Sequence, residues 1–376
     1  MNNVFVGVTL AVTRGRSGKR RATARVAPTP KIEYSTHNNK TKGRTYMKII
    51  IDAMGGDIYP APQVEGSVRA AAELDVDIIL AGKRDAIQAE LDKLGYTGNR
   101  IEIAEANDVI TNHDDPAKAV RSRKDSSIVV ASNLLKEGKA DAMVSAGATG
   151  GVLAAGLLVV GRISGVQRPA LAPIIPTDNG PALLLDAGAN ADCKPSNLMQ
   201  FGVMGSIYLS CLLGKENPKV GLLNIGEEDH KGNELVREAY ALLEDAPINF
   251  TGNIEGRELM KGTADVIVCD GFVGNVVLKL IEGLSSTMLK KIKGMFMKGF
   301  MPKIAGLIMK KSFTAFRKEM DYAEYGGAIL LGTKHPVIKA HGASNANAIF
   351  HAIRQAKKLV DTGVVGKIQD NLKMEA

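Results

Sequence analysis

Aspartate, serine and asparagine stand beside glycine at the ends of short apolar runs in this chain, a combination suited to holding an anion. The copies are Asp52-Ala-Met-Gly55-Gly56-Asp57, Ser145-Ala-Gly147-Ala-Thr149-Gly150, Asp186-Ala-Gly-Ala-Asn190, Asn224-Ile-Gly-Glu-Glu228 and Asp270-Gly271-Phe-Val-Gly-Asn275. Glycine lets the backbone come close to a ligand, and the unpaired N–H groups of a following helix attract negative charge. Side-chain amides donate to a phosphate or an oxyanion without a charge of their own. Asn190, Asn224, Asn253 and Asn275 are therefore candidates for substrate holding or catalysis. Asp52, Asp186 and Asp270 read two ways, as metal ligands or acid/base groups, or as caps of the turn and helix that follow. The Ser145 turn lacks both the Gly-Lys-Ser/Thr of a nucleotide P-loop and a GxGxxG fingerprint. In Glu227-Glu-Asp-His-Lys231-Gly232, Lys231 is the member best placed to hold a phosphate, while Glu228, Asp229 and His230 also suit a solvated helix start.

The elements around these turns alternate. Apolar runs at 48–52, 77–82, 100–105, 142–145, 182–185, 220–223 and 266–269 predict strands, and most are followed by helical periodicity. This alternation predicts an α/β fold with a mostly parallel sheet covered on both faces. The five turns would then lie along one rim, at the carboxyl ends of the strands, where doubly wound sheets bind ligands. The stretch 151–164 is apolar on all sides and predicts a deeply buried helix. Thr177-Asp-Asn-Gly180 predicts a hairpin link.

Composition narrows the function classes. The formal charge of +8 comes from residues 1–46, which hold ten Lys/Arg against Glu33 alone. Residues 47–376 carry 38 basic and 39 acidic residues, so the body is close to neutral and gives no nucleic-acid signal. The basic stretch has no strand or helix periodicity and reads as a disordered extension, with Met47 opening the first strand as a natural start would. Its charges follow its apolar residues, the reverse of a secretory signal, whereas an Arg-rich, acid-poor stretch also fits a transit peptide. Cys193, Cys211 and Cys269 are odd in number and widely spaced, which argues against a disulfide framework or a zinc site and for a reducing compartment. No uninterrupted run of 18 apolar residues is present.

Residues 283–318 depart from the rhythm. They carry nine Lys/Arg and no acid, interleaved with Met295, Phe296, Phe300, Ile304 and Leu307 at helical spacing, with Pro302 as an interruption. A solvated helix face would mix signs, so the segment reads as an amphipathic contact with a membrane surface, a dimerisation arm, or both. The polar stretch 107–126 holds the basic set Lys118, Arg121, Arg123 and Lys124.

The same turns, with Phe250-Thr-Gly-Asn253-Ile-Glu255 and Tyr325-Gly-Gly-Ala-Ile-Leu-Leu-Gly332, match a family pattern in order across residues 47–376. The chain closely resembles the bacterial phosphate acyltransferase family (PlsX). The resemblance implies a three-layer α/β/α sandwich like that of phosphotransacetylases and isopropylmalate-type dehydrogenases, with residues 1–46 outside it. It implies transfer of an acyl group from acyl carrier protein to inorganic phosphate, giving an acyl phosphate for a membrane glycerol-3-phosphate acyltransferase. Phosphate is the nucleophile in that reaction, so neither metal nor cofactor is called for. The family is cytoplasmic, homodimeric and peripheral to the inner face of the cell membrane. That chemistry fits the residues read above, with Asn190, Asn224, Lys231 and Asn275 as the expected catalytic group and Lys118, Arg121, Arg123 and Lys124 as a landing patch for the acidic carrier or a solvated face. Asp52, Gly55, Gly56, Asp57, Ser145, Gly147, Thr149, Gly150, Asp186, Asn253, Asp270 and Gly271 are expected to hold phosphate and acyl group. A CoA-dependent phosphate acyltransferase is the nearest alternative, followed by a nicotinamide-dependent dehydrogenase of similar fold and a non-catalytic membrane adaptor.

Overall fold

Isoleucines at 49, 50 and 51 show how the layers arise, since successive strand residues point to opposite faces. Ile49 and Ile51 join one core and Ile50 another. The computed structural model describes residues 46–319 and 326–373. The expected basic extension (but for Tyr46) and Tyr325 of the last motif lie outside the described residues.

In chain order the elements are β1 (Lys48–Asp52), α1 (Ala61–Glu73), β2 (Asp77–Gly82), α2 (Arg84–Lys93), β3 (Ile101–Glu105), α3 (Pro116–Ser122), α4 (Ser127–Lys136), β4 (Ala142–Ser145) and α5 (Thr149–Ala155). Next come β5 (Ala170–Ala172), β6 (Ile174–Ile175), β7 (Ala182–Leu185), α6 (Pro195–Leu213), β8 (Lys219–Asn224), α7 (Glu234–Glu244), β9 (Asn249–Glu255) and β10 (Val266–Val268). The chain continues through α8 (Gly271–Phe296), α9 (Phe300–Glu319), β11 (Ala328–Leu331), β12 (Val337–Lys339), α10 (Ala346–Thr362) and α11 (Val364–Lys373).

The strands form two sheets, ordered β3-β2-β1-β4-β12-β11-β5 and β6-β7-β10-β8-β9. Pairing is parallel from β3 to β12 and from β7 to β9, while β11 and β6 run antiparallel to their neighbours. One core runs along a common face of both sheets, where Ile49, Leu183 and Val266 meet Val64 of α1, Phe201 and Tyr208 of α6, and Phe350 of α10. On the opposite face the first sheet packs against α4 and α5. The second sheet there packs Leu184 and Ile267 with Val277, Leu278 and Ile281 of α8. The fold is thus α/β with helices on both faces, as expected, but the expected single rim is two. The Asp52 and Ser145 turns end strands of the first sheet, and the Asp186, Asn224 and Asp270 turns end strands of the second.

Three further expectations change. The apolar helix from 151 ends earlier, passing through a π-helical turn at Gly156–Val160 that leaves Leu157 and Leu158 partly exposed. The break in 283–318 falls at Met297–Gly299, where Gly299 adopts φ +90. Pro302 instead lies in the first turn of α9, where a missing N–H costs nothing. By length and composition α8 would suffice to cross a membrane, although its apolar residues are interrupted by charges.

Candidate functional site

The first rim is built from three neighbouring strand ends, with Asp52 in register with Ser145 and Lys339 in register with Ser145 on its other side. Ser145 Oγ donates to Asp52 Oδ2 at 2.7 Å and accepts the Gly147 N–H at 3.0 Å, tying the β1 and β4 turns together. Gly55 lies between them, and a Cβ there would stand 2.6 Å from both Asp52 Oδ2 and Gly147 N. Gln63 of α1 donates to Gly55 O at 2.5 Å, and the Asp57 N–H donates to Gly342 O at 2.8 Å. Two glycine turns and the loop after β12 therefore share one scaffold. Burial raises the Asp52 carboxyl, against the Ser127 and Ser145 hydroxyls, the Met54 N–H and the charge of Lys339, all of which favour ionisation.

Above this scaffold lies a cavity of about 300 Å³. Gly55, Gly56, Asp57, Gly147 and Thr149 line it, together with Ile110, Thr111, Lys279, Lys339 and His341. Of the remaining residues expected here, Asp52 and Ser145 support the turns from below. Gly150 packs where a Cβ would meet Pro116 Cγ of α3 at 2.6 Å. Lys339 is buried, and burial pushes its ammonium down to about 8, with Asp57 and Asp52 opposing the fall and Lys279 adding to it. Sequence reasoning passes over Lys339 and Lys279, and reads His341 as a structural or surface residue. The signal for Lys339 was a lysine closing the short run Val337-Ile-Lys339 just before the His341-Gly-Ala-Ser-Asn345 turn.

The second rim uses its aspartates to build turns. Asp186 Oδ1 accepts from the N–H groups of Leu171 at 2.8 Å, Ala189 at 3.1 Å and Gly188 at 3.3 Å. Its Oδ2 accepts from Asn190 N at 2.7 Å and Asn190 Nδ2 at 3.0 Å. Burial raises this carboxyl and the same bonds counter it. Asn190 Nδ2 also donates to Pro169 O at 2.8 Å. Asp270 caps α8, accepting the Val273 N–H at 2.9 Å. Close approach of α8 to the Asp186 turn requires glycine, since a Cβ at Gly274 would lie 1.9 Å from Asp186 O and one at Gly271 would lie 2.6 Å from Asn190 O. Asn275 faces Gly188 across this contact. Lys279 is four residues further along α8, on the same helix face, and reaches the first-rim cavity. One helix therefore connects the two rims.

Asn224, Lys231 and Asn253 form a third group, outside the cavity lining. Asn224 Oδ1 accepts from Ile225 N at 2.8 Å and its Nδ2 donates to Lys231 O at 3.1 Å. Lys231 Nζ stands 3.9 Å from Glu228 Oε1, and Asn253 Nδ2 donates to Glu228 O at 2.8 Å while its buried Oδ1 has no partner. Burial pushes the Cys193 thiol up to about 11 and the buried Cys269 well above its usual range, so both stay protonated at neutral pH. Within the basic cluster, Arg123 is committed to Asp114 at 2.9 Å, whereas Lys118, Arg121 and Lys124 are exposed. On the helical segment Met295, Phe300 and Leu307 are exposed, Ile304 is partly so, and Phe296 packs beside Gly306 where α8 and α9 meet.

The family model described as "Fatty acid synthesis protein" matches residues 47–367. A phosphate acyltransferase of Alkaliphilus oremlandii is 52% identical over 326 residues, 87% of this chain and 97% of the relative. One of Clostridium novyi is 49% identical over 330 residues, covering 88% of this chain and 99% of the relative. Among solved structures, a phosphotransacetylase from Streptococcus pyogenes superimposes with a TM-score of 0.56 at 19% identity, over 84% of this chain and 94% of the other. The EutD phosphotransacetylase from Staphylococcus aureus gives 0.54 at 17% over the same shares. These structures are alike in fold.

Proposed function

The chain belongs to the phosphate acyltransferase family, and we propose that it moves an acyl group from the thioester of an acyl carrier protein to inorganic phosphate. The observation that carries the reading is the first-rim cavity, whose size, glycine turns and two lysines suit a small oxyanion. A phosphate oxygen attacks the thioester carbonyl carbon, and the tetrahedral oxyanion collapses with cleavage of the C–S bond. An acyl phosphate forms, and the phosphate's proton ends on the carrier thiol. The protein's task is to hold phosphate in line with the carbonyl and stabilise the oxyanion, which amide and backbone donors can do. Asn275, beside Lys279 on α8, is a candidate for the latter role. Asn190, Asp186, Asp270 and Gly271 fix the start of that helix.

On the same reading the exposed Lys118, Arg121 and Lys124 receive the acidic carrier, near the Ile110–Asn112 stretch that borders the cavity. The exposed apolar and basic surface of α8 and α9 serves a second copy of the chain and the inner face of the cell membrane. From there a cytoplasmic enzyme would pass acyl phosphate to a membrane glycerol-3-phosphate acyltransferase. The donor is tested by supplying the purified protein and phosphate with acyl carrier protein thioester or acyl-CoA, and measuring hydroxylamine-trappable acyl phosphate. Product from the carrier thioester at far higher kcat/KM supports the reading. Equal or better use of acyl-CoA would overturn the carrier as donor.

A further inference from the structure

We propose that Lys339 and Lys279 form a two-cation clamp for phosphate, one cation fixed in the first sheet and the other carried over it by α8; this rests on the phosphate acyltransferase reading. Lys339 closes β12 beside Ser145, is buried, and lines the cavity. A lysine ammonium has three donors. Lys339 gives one to Ala340 O, and among the described residues its others meet no protein acceptor. A buried ammonium with unspent donors is costly unless an anion meets it. Its two nearest carboxylates do not take up those donors. Asp52 Oδ2 is engaged with Ser145 beneath the cavity floor while its buried Oδ1 has no hydrogen-bond partner, and both Asp52 and Asp57 act on Lys339 through charge.

Lys279 enters from the other side. It is exposed and held 2.8 Å from Glu282 on its own helix, an exposed pair of the kind that contributes little to stability. Its ammonium can turn to an anion in the cavity without a large penalty. Because α8 is anchored at the Asp186 turn of the second rim, Lys279 makes the phosphate seat depend on both halves of the fold. The two lysines differ in the consequence of titration. The groups facing Lys339 are Asp52 on β1, Asp57 on the following turn, Lys279 on α8 and the cavity-lining His341. Their sum with burial puts the ammonium near 8, so its charge is full below that pH and is lost above it.

Steady-state kinetics on the full-length protein, with carrier thioester held saturating and phosphate varied, test the clamp. K339M and K279M should each raise the phosphate KM by roughly ten- to hundredfold, the loss expected for one charge-assisted hydrogen bond. The KM for the acyl donor should stay within about twofold of wild type, since uniform loss of phosphate binding is confined to that substrate. In wild type the phosphate KM should climb above about pH 8, where phosphate itself remains a dianion. That alkaline limb should disappear in K339M and persist in K279M. If K339M does not fold, exposed Lys279 decides through its own KM, and the wild-type alkaline limb decides for Lys339. Unchanged phosphate KM in both variants, with an active wild type, would overturn the clamp and leave the phosphate acyltransferase reading intact. A wild-type protein that makes no acyl phosphate would overturn both.

Discussion

Ser145 shows at the residue scale how much of a site is support. Its hydroxyl is at once donor to Asp52 and acceptor from Gly147 N–H, so it fixes the turn that lines the cavity without lining the cavity itself. S145A removes the one hydroxyl that bonds both the buried Asp52 carboxyl and the Gly147 N–H, a loss of about 1–3 kcal/mol in stability. Urea denaturation should record that loss, and the phosphate KM should rise as the Gly147 turn loosens. Gly55 is held just as tightly, with a Cβ position 2.6 Å from backbone and carboxylate. G55A should therefore lose most turnover while costing about 1–3 kcal/mol by overpacking. A G55A enzyme with wild-type kinetics would show that the two turns need not touch. These roles were only half legible in the sequence. A strand-end Asp next to Gly looks the same whether it binds a ligand or builds a turn. Asp186 resolves as a turn builder because Leu171, on a different strand, supplies one of its five donors, and nothing local announces that.

At the scale of elements, α8 does two jobs along its length. Its first turns pack on the second rim through Gly271 and Gly274 and carry Asn275 and Lys279, and its distal half is exposed together with α9. G274A should lever the helix start away from Asp186, where a Cβ would stand 1.9 Å from the carbonyl oxygen. The expected cost is about 3 kcal/mol or more, beyond ordinary overpacking because the obstacle is backbone. Guanidinium denaturation measures it, and turnover should fall with it. For the exposed half, the combined variant M295S/F300S/L307S should abolish co-sedimentation with anionic vesicles. Wild-type attachment should weaken with salt, since each lysine near such a surface contributes only about 1 kcal/mol. Retained sedimentation of the variant would remove α8 and α9 from the membrane contact. The acid-free composition of 283–318 made this surface conspicuous in the sequence. By contrast α6, apolar almost all round, has too little periodicity to stand out, though Phe201 and Tyr208 make it a pillar of the shared core.

For the whole molecule, strand–helix alternation and five glycine turns were enough to indicate an α/β enzyme that handles an anion. The division into two sheets was not, because sheet membership depends on crossovers and on the antiparallel placement of β6 and β11, which a local run of apolar residues does not reveal. The same crossovers hid the cavity: β12 comes late in the chain yet inserts beside β4, and this alone brings Lys339 to the Ser145 turn. The central claim is that inorganic phosphate is a co-substrate seated in that cavity. It is tested most directly by following carrier thiol release and acyl phosphate together, as the phosphate concentration is raised from zero. The account predicts no release without phosphate, saturation as phosphate rises, and one acyl phosphate for each thiol. Thiol release that is independent of phosphate, or unaccompanied by acyl phosphate, would contradict it.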